Sequence, residues 1–172
     1  YTRVNAENGA TVKGINFDLT VIPSTKLSLQ SGFTLQNSLY DEAQEFSSRS
    51  FFRTPNTYGY LNTDYTFLLR YRLSVTGNYT GKMLIPYFGK QLPADVNGEL
   101  RETNRFLDMG AKLIYSAKMG GVMLEFYGGV KNLFNSYQKD FDFGIDRDPT
   151  YVYGPLNPRT VYAGIRMGNF LK

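Results

Sequence analysis

The stretch Leu124–Lys131 alternates without a break. One parity reads Leu124, Phe126, Gly128, Val130 and the other Glu125, Tyr127, Gly129, Lys131. Side chains on a strand point to opposite faces at every step, so this pattern prescribes a strand with one greasy and one wet side. The same rhythm recurs along the chain. Ile15, Phe17, Leu19 and Val21 oppose Asn16, Asp18 and Thr20, and Leu27, Leu29, Phe33, Leu35 and Leu39 oppose Ser28, Gln30, Thr34, Gln36 and Ser38. Leu61, Tyr65 and Phe67 oppose Asn62, Asp64 and Thr66, and Leu73, Val75 and Tyr79 oppose Arg72, Ser74, Thr76 and Asn78. Leu107, Met109, Ala111, Leu113 and Tyr115 oppose Asp108 and Lys112, and Val161, Ala163, Ile165 and Met167 oppose Tyr162 and Arg166. The greasy parity carries no charge in the middle of any strand; Lys13 and Arg159 share it only at strand ends.

This rhythm predicts eight strands, at about 1–6, 11–22, 26–40, 58–69, 70–83, 106–117, 122–134 and 158–171. Short joins at Pro23–Thr25, near Leu69–Arg70 and at Lys118–Gly121 alternate with long polar segments at 41–57, 84–105 and 135–157. Short turns at one end and long loops at the other describe an up-and-down antiparallel meander, and they are also the layout of outer-membrane barrels. Alternation alone fits a soluble, lipocalin-like barrel or sandwich with the greasy side inward. Two features favour greasy-outward. A small soluble barrel fills its interior by alternating large and small residues, whereas this greasy row is uniformly medium to large. Tyrosines also gather near strand ends, at Tyr40, Tyr58, Tyr60, Tyr71 and Tyr115, as in an interfacial aromatic girdle.

Composition narrows the function. The 172 residues suffice for one domain, and no run of 18 apolar residues exists to form a membrane helix. Spanning strands need only about 9–11 residues, every second one apolar, so a barrel is untouched by that test. Cysteine and histidine are absent, which removes disulfides, thiolate zinc sites, cysteine nucleophiles and histidine acid–base schemes. No catalytic constellation stands out and no cofactor is expected. The net charge of +4 is scattered over the chain with no basic run, which argues against nucleic acid as a partner. The opening residues lack the apolar segment of a signal peptide, and the chain is expected to be a piece of a longer one.

The last fifty residues carry a resemblance. Gly129-Val130-Lys131-Asn132-Leu133-Phe134-Asn135 is followed by Tyr137, Arg147, Tyr153-Gly154-Pro155, Pro158-Arg159-Thr160 and a closing strand with Gly164-Ile165. In this order and spacing the set resembles the end of a TonB-dependent outer-membrane receptor. The resemblance covers about residues 121–172; the rest is compatible in rhythm. It implies that residues 1–172 are the C-terminal portion of a transmembrane β-barrel domain, about eight strands of a 22-stranded barrel, without the plug and the earlier strands. It further implies the outer membrane of a Gram-negative bacterium and import of a scarce small-molecule nutrient, such as a metal chelate, cobalamin or glycan. The implied partners are outer-membrane lipid and, through the part of the parent protein that lies N-terminal to this chain, the TonB complex. Phe126 and Val130 would then face lipid, and Glu125 and Lys131 a watery lumen. One departure concerns the C-terminus: Phe170 falls on the lumen parity and is followed by Leu171 and Lys172. A complete eight-stranded outer-membrane barrel with a structural or adhesive role, and a soluble ligand-binding barrel, remain as alternatives.

Candidate sites follow from placement. Aromatic residues of the long loops, Phe51, Phe52, Tyr87, Phe88, Tyr151 and Tyr153, are candidates for ligand capture, because loops on a rigid scaffold commonly bind; packing between loops is the more ordinary reading of any single one of them. Asn132, Phe134, Asn135, Pro158 and Arg159 read as structural, with asparagine bonding the turning backbone and proline placed ahead of the ladder. Asp140, Asp142 and Asp146, grouped around Gly144 with Asp148, resemble part of a calcium loop but lack its spacing and its closing glutamate. Their ordinary reading is pairing with Lys139 and Arg147 in a solvated loop.

Overall fold

A computed structural model describes residues 8–89, 92–93 and 95–168. It is all-β apart from one short 3-10 turn at Glu45–Ser47. In chain order the strands are β1 (Ala10–Ser24), β2 (Leu27–Tyr40), β3 (Thr57–Phe67), β4 (Tyr71–Thr80), β5 (Leu84–Tyr87), β6 (Glu99–Glu102), β7 (Phe106–Met119), β8 (Val122–Lys131) and β9 (Thr160–Gly168). Seven of them form one antiparallel sheet in the order β1-β2-β3-β4-β7-β8-β9, and β5 and β6 pair as a separate hairpin. The sheet is open: among the described residues β1 and β9 are not partners. The strand expected at 1–6, and Phe170, lie outside the described residues. Among the described residues no helix is long and apolar enough to cross a membrane, which says nothing about strands.

The seven sheet strands match the expected rhythm; their ends and the hairpin do not. β3 stops at Phe67 because Leu68 and Leu69 turn the chain at φ 50° and 57°. β8 stops at Lys131 because Asn132 adopts φ 47°. Pro158 has no N–H to give, and the β9 ladder begins at Thr160. Gly120 and Gly121, both at positive φ, make the two-residue turn between β7 and β8. The β5–β6 hairpin occupies a segment that the sequence presents as loop.

Register keeps one parity aligned across the whole sheet. Val21, Leu29, Thr63, Val75, Ala111, Val130 and Val161 form a single row through all seven strands. The row Leu27, Tyr65, Leu73, Leu113, Gly128 and Ala163 runs beside it. The opposite face holds rows such as Ser28, Asp64, Ser74, Lys112, Gly129 and Tyr162. Since a one-residue slip would exchange the faces, the constancy of this pairing makes a continuous two-sided wall.

Among the described residues nothing covers the uncharged face. Phe17, Phe33, Leu35, Leu113, Phe126, Val161 and Ile165 are exposed, from 41% for Phe126 to 75% for Val161. More than a dozen large apolar side chains lie open in this way. At roughly 1 kcal/mol or more for each, immersing them in water forfeits on the order of 15 kcal/mol, as much as a whole domain's stability. The buried apolar cluster lies elsewhere, among the long loops: Ile85, Tyr87, Phe106, Tyr151 and Tyr153, flanked by Met83 and Leu92.

Aromatic rings mark the short-turn end of the uncharged face. Tyr65, Phe67, Tyr71, Tyr115 and Phe126 form a chain of ring contacts with centroids 4.9 to 6.3 Å apart. The expected girdle needs one correction. Tyr71 and Tyr115 belong to this band, but Tyr40, Tyr58 and Tyr60 pair with the polar rows, Tyr60 standing opposite Gly32 and Asn78. Tyr60 donates its hydroxyl to Asp18 at 3.1 Å.

The Leu68–Leu69 turn offers a stability test. Two leucines in the left-handed region cost roughly 1–2 kcal/mol each. Replacing the pair with Asn-Gly, which adopts that region readily, is expected to raise the urea midpoint by the equivalent of about 1 kcal/mol. An unchanged or lower midpoint would mean that the leucine side chains, 75% and 87% exposed in the chain, are held by their surroundings.

Candidate functional site: the outer loop cluster and the polar wall

The three long connections are tied together at one end of the sheet. Phe52 bridges Leu84, and the Arg53 N–H donates to the Leu84 carbonyl at 2.8 Å. The Arg53 guanidinium also donates to the carbonyls of Thr150 and Val152. Tyr87 of β5 meets Tyr151 edge to face at 4.8 Å, and Tyr151 meets Tyr153 at 5.4 Å. The Arg101 guanidinium from β6 lies 3.5 Å above the Tyr87 ring and is held there by Glu99 at 2.6 Å.

A buried phenol must find an acceptor, and the aspartates of the 132–159 segment supply three. Asp140 accepts the hydroxyls of Tyr151 at 2.8 Å and Tyr153 at 2.6 Å. Asp142 accepts the hydroxyl of Tyr87 at 3.2 Å and the N–H of Asp148 at 2.8 Å. Asp148 accepts the N–H of Phe88 at 2.9 Å and both the N–H and the hydroxyl of Thr150. Gln138 is buried and bridges the Tyr151 carbonyl and the Tyr153 N–H. Phenols, backbone amides and the Thr150 hydroxyl, rather than Lys139 or Arg147, occupy Asp140, Asp142 and Asp148. Arg147 donates to the Gly144 carbonyl instead. Among the described residues no three carboxylates come together in a group able to hold a metal ion, so Asp140, Asp142 and Asp146 do not form a calcium loop here.

These bonds set the acidity of the cluster. Burial pushes the Asp140 carboxyl up, but the phenols of Tyr153 and Tyr151 outweigh it and hold the group below its ordinary value. Asp148 is held down the same way, burial being outweighed by Thr150 and the Phe88 amide. Burial, then the hydrogen bond to Asp140, pushes Tyr153 up, so its phenol keeps its proton throughout the physiological range. A carboxylate with a depressed folded-state pKa contributes stability above its unfolded value, and loses it as pH falls through the folded one. Amide exchange in 138–153 is therefore expected to accelerate as pH drops below about 3.9, after correction for the intrinsic pH dependence of exchange. Asp140→Asn should blunt that acceleration, and an unaltered profile in the variant would contradict the assignment.

The six candidate loop aromatics separate into three places. Tyr87, Tyr151 and Tyr153 are buried together in the cluster. Phe52 and Phe88 both reach Phe46, at 6.0 and 5.9 Å, and Phe88 is half exposed. Phe51 stands apart, stacked on Tyr40 at 4.4 Å. Phe46, Arg101 and Gln138 join the arrangement without having stood out in the sequence, because the burial of the tyrosines that gathers them is set by the fold.

Asn132 and Asn135 knit the end of β8 to the start of β9. The Asn132 side chain donates to the carbonyls of Ser136 at 3.0 Å and Asn157 at 2.8 Å, and accepts the Ser136 N–H at 2.8 Å. Asn135 accepts the Arg159 N–H at 2.9 Å. Both asparagines have positive φ, a region their short amide side chain tolerates. Phe134 between them is exposed, and Pro158 positions the carbonyl that accepts from the Thr160 hydroxyl.

The polar face of the sheet carries a second arrangement. Glu125, nearly buried, takes Arg166 through Nε at 2.9 Å and through a second guanidinium nitrogen, with Arg72 3.9 Å away on its other oxygen. Lys112, Tyr127, Lys131 and Tyr162 border the same recess, of about 490 Å³, and the Lys131 ammonium sits 5.7 Å over the Tyr162 ring. Tyr162 lies across Gly129 on the neighbouring strand, where an added Cβ would stand 2.6 Å from the phenol oxygen. Four cations around one buried carboxylate make this part of the wall electropositive.

No family model, curated protein or solved structure matches the chain. Among the described residues no group of carboxylates is placed to hold a metal ion. What the arrangement can do chemically is present a polar, cation-rich wall beneath a cross-braced cap of aromatic loops.

Proposed function

We propose that this chain is the C-terminal barrel segment of a TonB-dependent outer-membrane receptor, which imports a scarce small nutrient into the periplasm. One observation carries the proposal above the rest: an uncharged row runs unbroken through seven strands, and none of the described residues lies over it. Hydrocarbon is the environment that such a face fits, since charge at mid-depth costs roughly 2–4 kcal/mol there. The aromatic band at the short-turn end suits a bilayer interface. The edges of β1 and β9, unpaired among the described residues, suit an arc of a larger barrel better than a closed eight-stranded one. The sequence from Gly129 through Ile165, which resembles the ending of that family, supports the choice. In this reading the polar wall with Glu125, Arg166 and Arg72 faces the lumen, and the loop cluster stands outside the cell as a rigid rim for ligand capture.

Deleting the gene of the parent protein in its own host tests the reading. The strain is expected to lose uptake of one compound from a panel of metal chelates, cobalamin and oligosaccharides, and the wild-type uptake is expected to stop with a protonophore. Unchanged uptake across the panel, with the protein missing from the outer-membrane fraction, would contradict it.

A further inference from the structure

An open groove of about 740 Å³ lies where β4 and β7 meet the long loops. Its lower wall is apolar. Tyr79 and Leu107 face each other in register at the top of the uncharged face, and Phe134, 56% exposed, stands beside them just beyond β8. Its upper wall is cationic. Lys82 follows β4 by two residues, Arg105 immediately precedes β7, and Lys139 projects from the loop after β8. Lys82 is paired with Glu102. Neither Arg105 nor Lys139 makes an ion pair among the described residues.

We infer that this groove seats an anionic, phosphate-bearing lipid, its acyl chain against Tyr79, Leu107 and Phe134 and its phosphate among Arg105, Lys139 and Lys82. The inference rests on the membrane reading above. If the uncharged face lies in hydrocarbon, the strand–loop boundary lies at headgroup level, and the cations stand at the height of the phosphates. Long basic side chains at such a boundary lay their stems on apolar surface and keep their charge in the polar layer. A water-soluble anion would leave the aromatic lower wall uncovered, and an uncharged lipid would leave Arg105 and Lys139 without a counter-ion. An amphiphile satisfies both halves, so the charge and the grease of the groove point to one occupant.

The test uses the full-length protein purified in detergent, with native mass spectrometry as the readout and dioleoyl phosphatidic acid as the probe. Phosphatidic acid is expected to bind at least tenfold more tightly than dioleoylglycerol, which lacks the phosphate. The double variant R105Q/K139Q should lose about tenfold in affinity for phosphatidic acid and little for dioleoylglycerol. Inorganic phosphate at the same concentration should not displace the lipid. Equal affinity for the two lipids, an unaffected double variant, or displacement by inorganic phosphate would each overturn the inference. Reconstitution separates the two proposals. If wild type and variant both insert into phosphatidylcholine vesicles, a missing phosphate preference condemns the lipid site alone. If wild type fails to insert, the membrane reading fails and takes the site with it.

Discussion

Leu113→Arg is expected to destabilise the bilayer-inserted protein by about 2–4 kcal/mol, and Lys112→Leu by less than about 1 kcal/mol, in equilibrium urea unfolding. The two residues are neighbours on β7 and point to opposite faces. Leu113 pairs with Leu73 and Gly128 on the uncharged rows, and Lys112 with Ser74 and Gly129 on the polar ones. Leu113 is 45% exposed in the chain itself, which gives the comparison its force. In water, a half-exposed leucine changed to arginine would stay within about 0.5 kcal/mol of neutral. A large cost therefore reports the solvent around the face, not the packing within the sheet. Lys112, on a wall that already gathers Arg72, Lys131 and Arg166, loses a charge among like charges. Equal and small effects for both variants would contradict the face assignment.

Asn132→Ala is expected to cost about 2 kcal/mol. The side chain is 2% exposed, and its loss leaves the carbonyls of Ser136 and Asn157 and the N–H of Ser136 without their partner. A polar group stranded away from water costs roughly 1–3 kcal/mol; Ser136 is part-buried and Asn157 exposed, so water takes over part of the lost bonding, and the three losses are not additive. The backbone adds its own term, because alanine tolerates φ 47° less well than asparagine. Asn132→Gly isolates that term: it removes the bonds but keeps the conformation, and should recover about 1 kcal/mol of the loss. Limited proteolysis is a second readout. The 136–157 loop, once released from the β8 end, should be cut faster in the alanine variant than in wild type. Variants indistinguishable from wild type in both assays would show that the loop is held by the tyrosine–aspartate cluster alone.

How much of this was legible in the sequence depends on the range of the interaction. The faces were legible because alternation is local, and because each cross-strand register happens to keep odd with odd until β8, where Gly120 and Gly121 shift the numbering and Leu124 and Phe126 follow. The girdle was half legible. Nearness to a strand end says nothing about parity, and Tyr58 and Tyr60 share theirs with Asn62 and Asp64. The β5–β6 hairpin was hidden because four-residue strands are too short to show a period, and Pro86 takes a ladder donor out of one of them. The loop cluster was hidden for a different reason. Asp140 sits beside Lys139 in the chain, which suggests ion pairing, but the acid is bonded to phenols eleven and thirteen residues on. A buried hydroxyl competes for a carboxylate as well as a solvated ammonium does, and only the fold decides which arrives. The asparagines of the Asn132–Asn135 turn were legible as turn formers, whereas their partners Asn157 and Arg159 required the return of the chain into β9.

The central claim is that lipid, not protein or water, lies against the uncharged rows. The chain has no cysteine, so single cysteines can be placed along β8 from Leu124 to Lys131 and spin-labelled in the full-length protein in lipid vesicles. Collision with oxygen, which concentrates in hydrocarbon, should be high at 124, 126, 128 and 130. Collision with a water-soluble nickel chelate should be high at 125, 127, 129 and 131. Alternation of the two probes in opposite phase is the predicted result; nickel access at 126 and 130 equal to that at 125 and 131 would contradict the account.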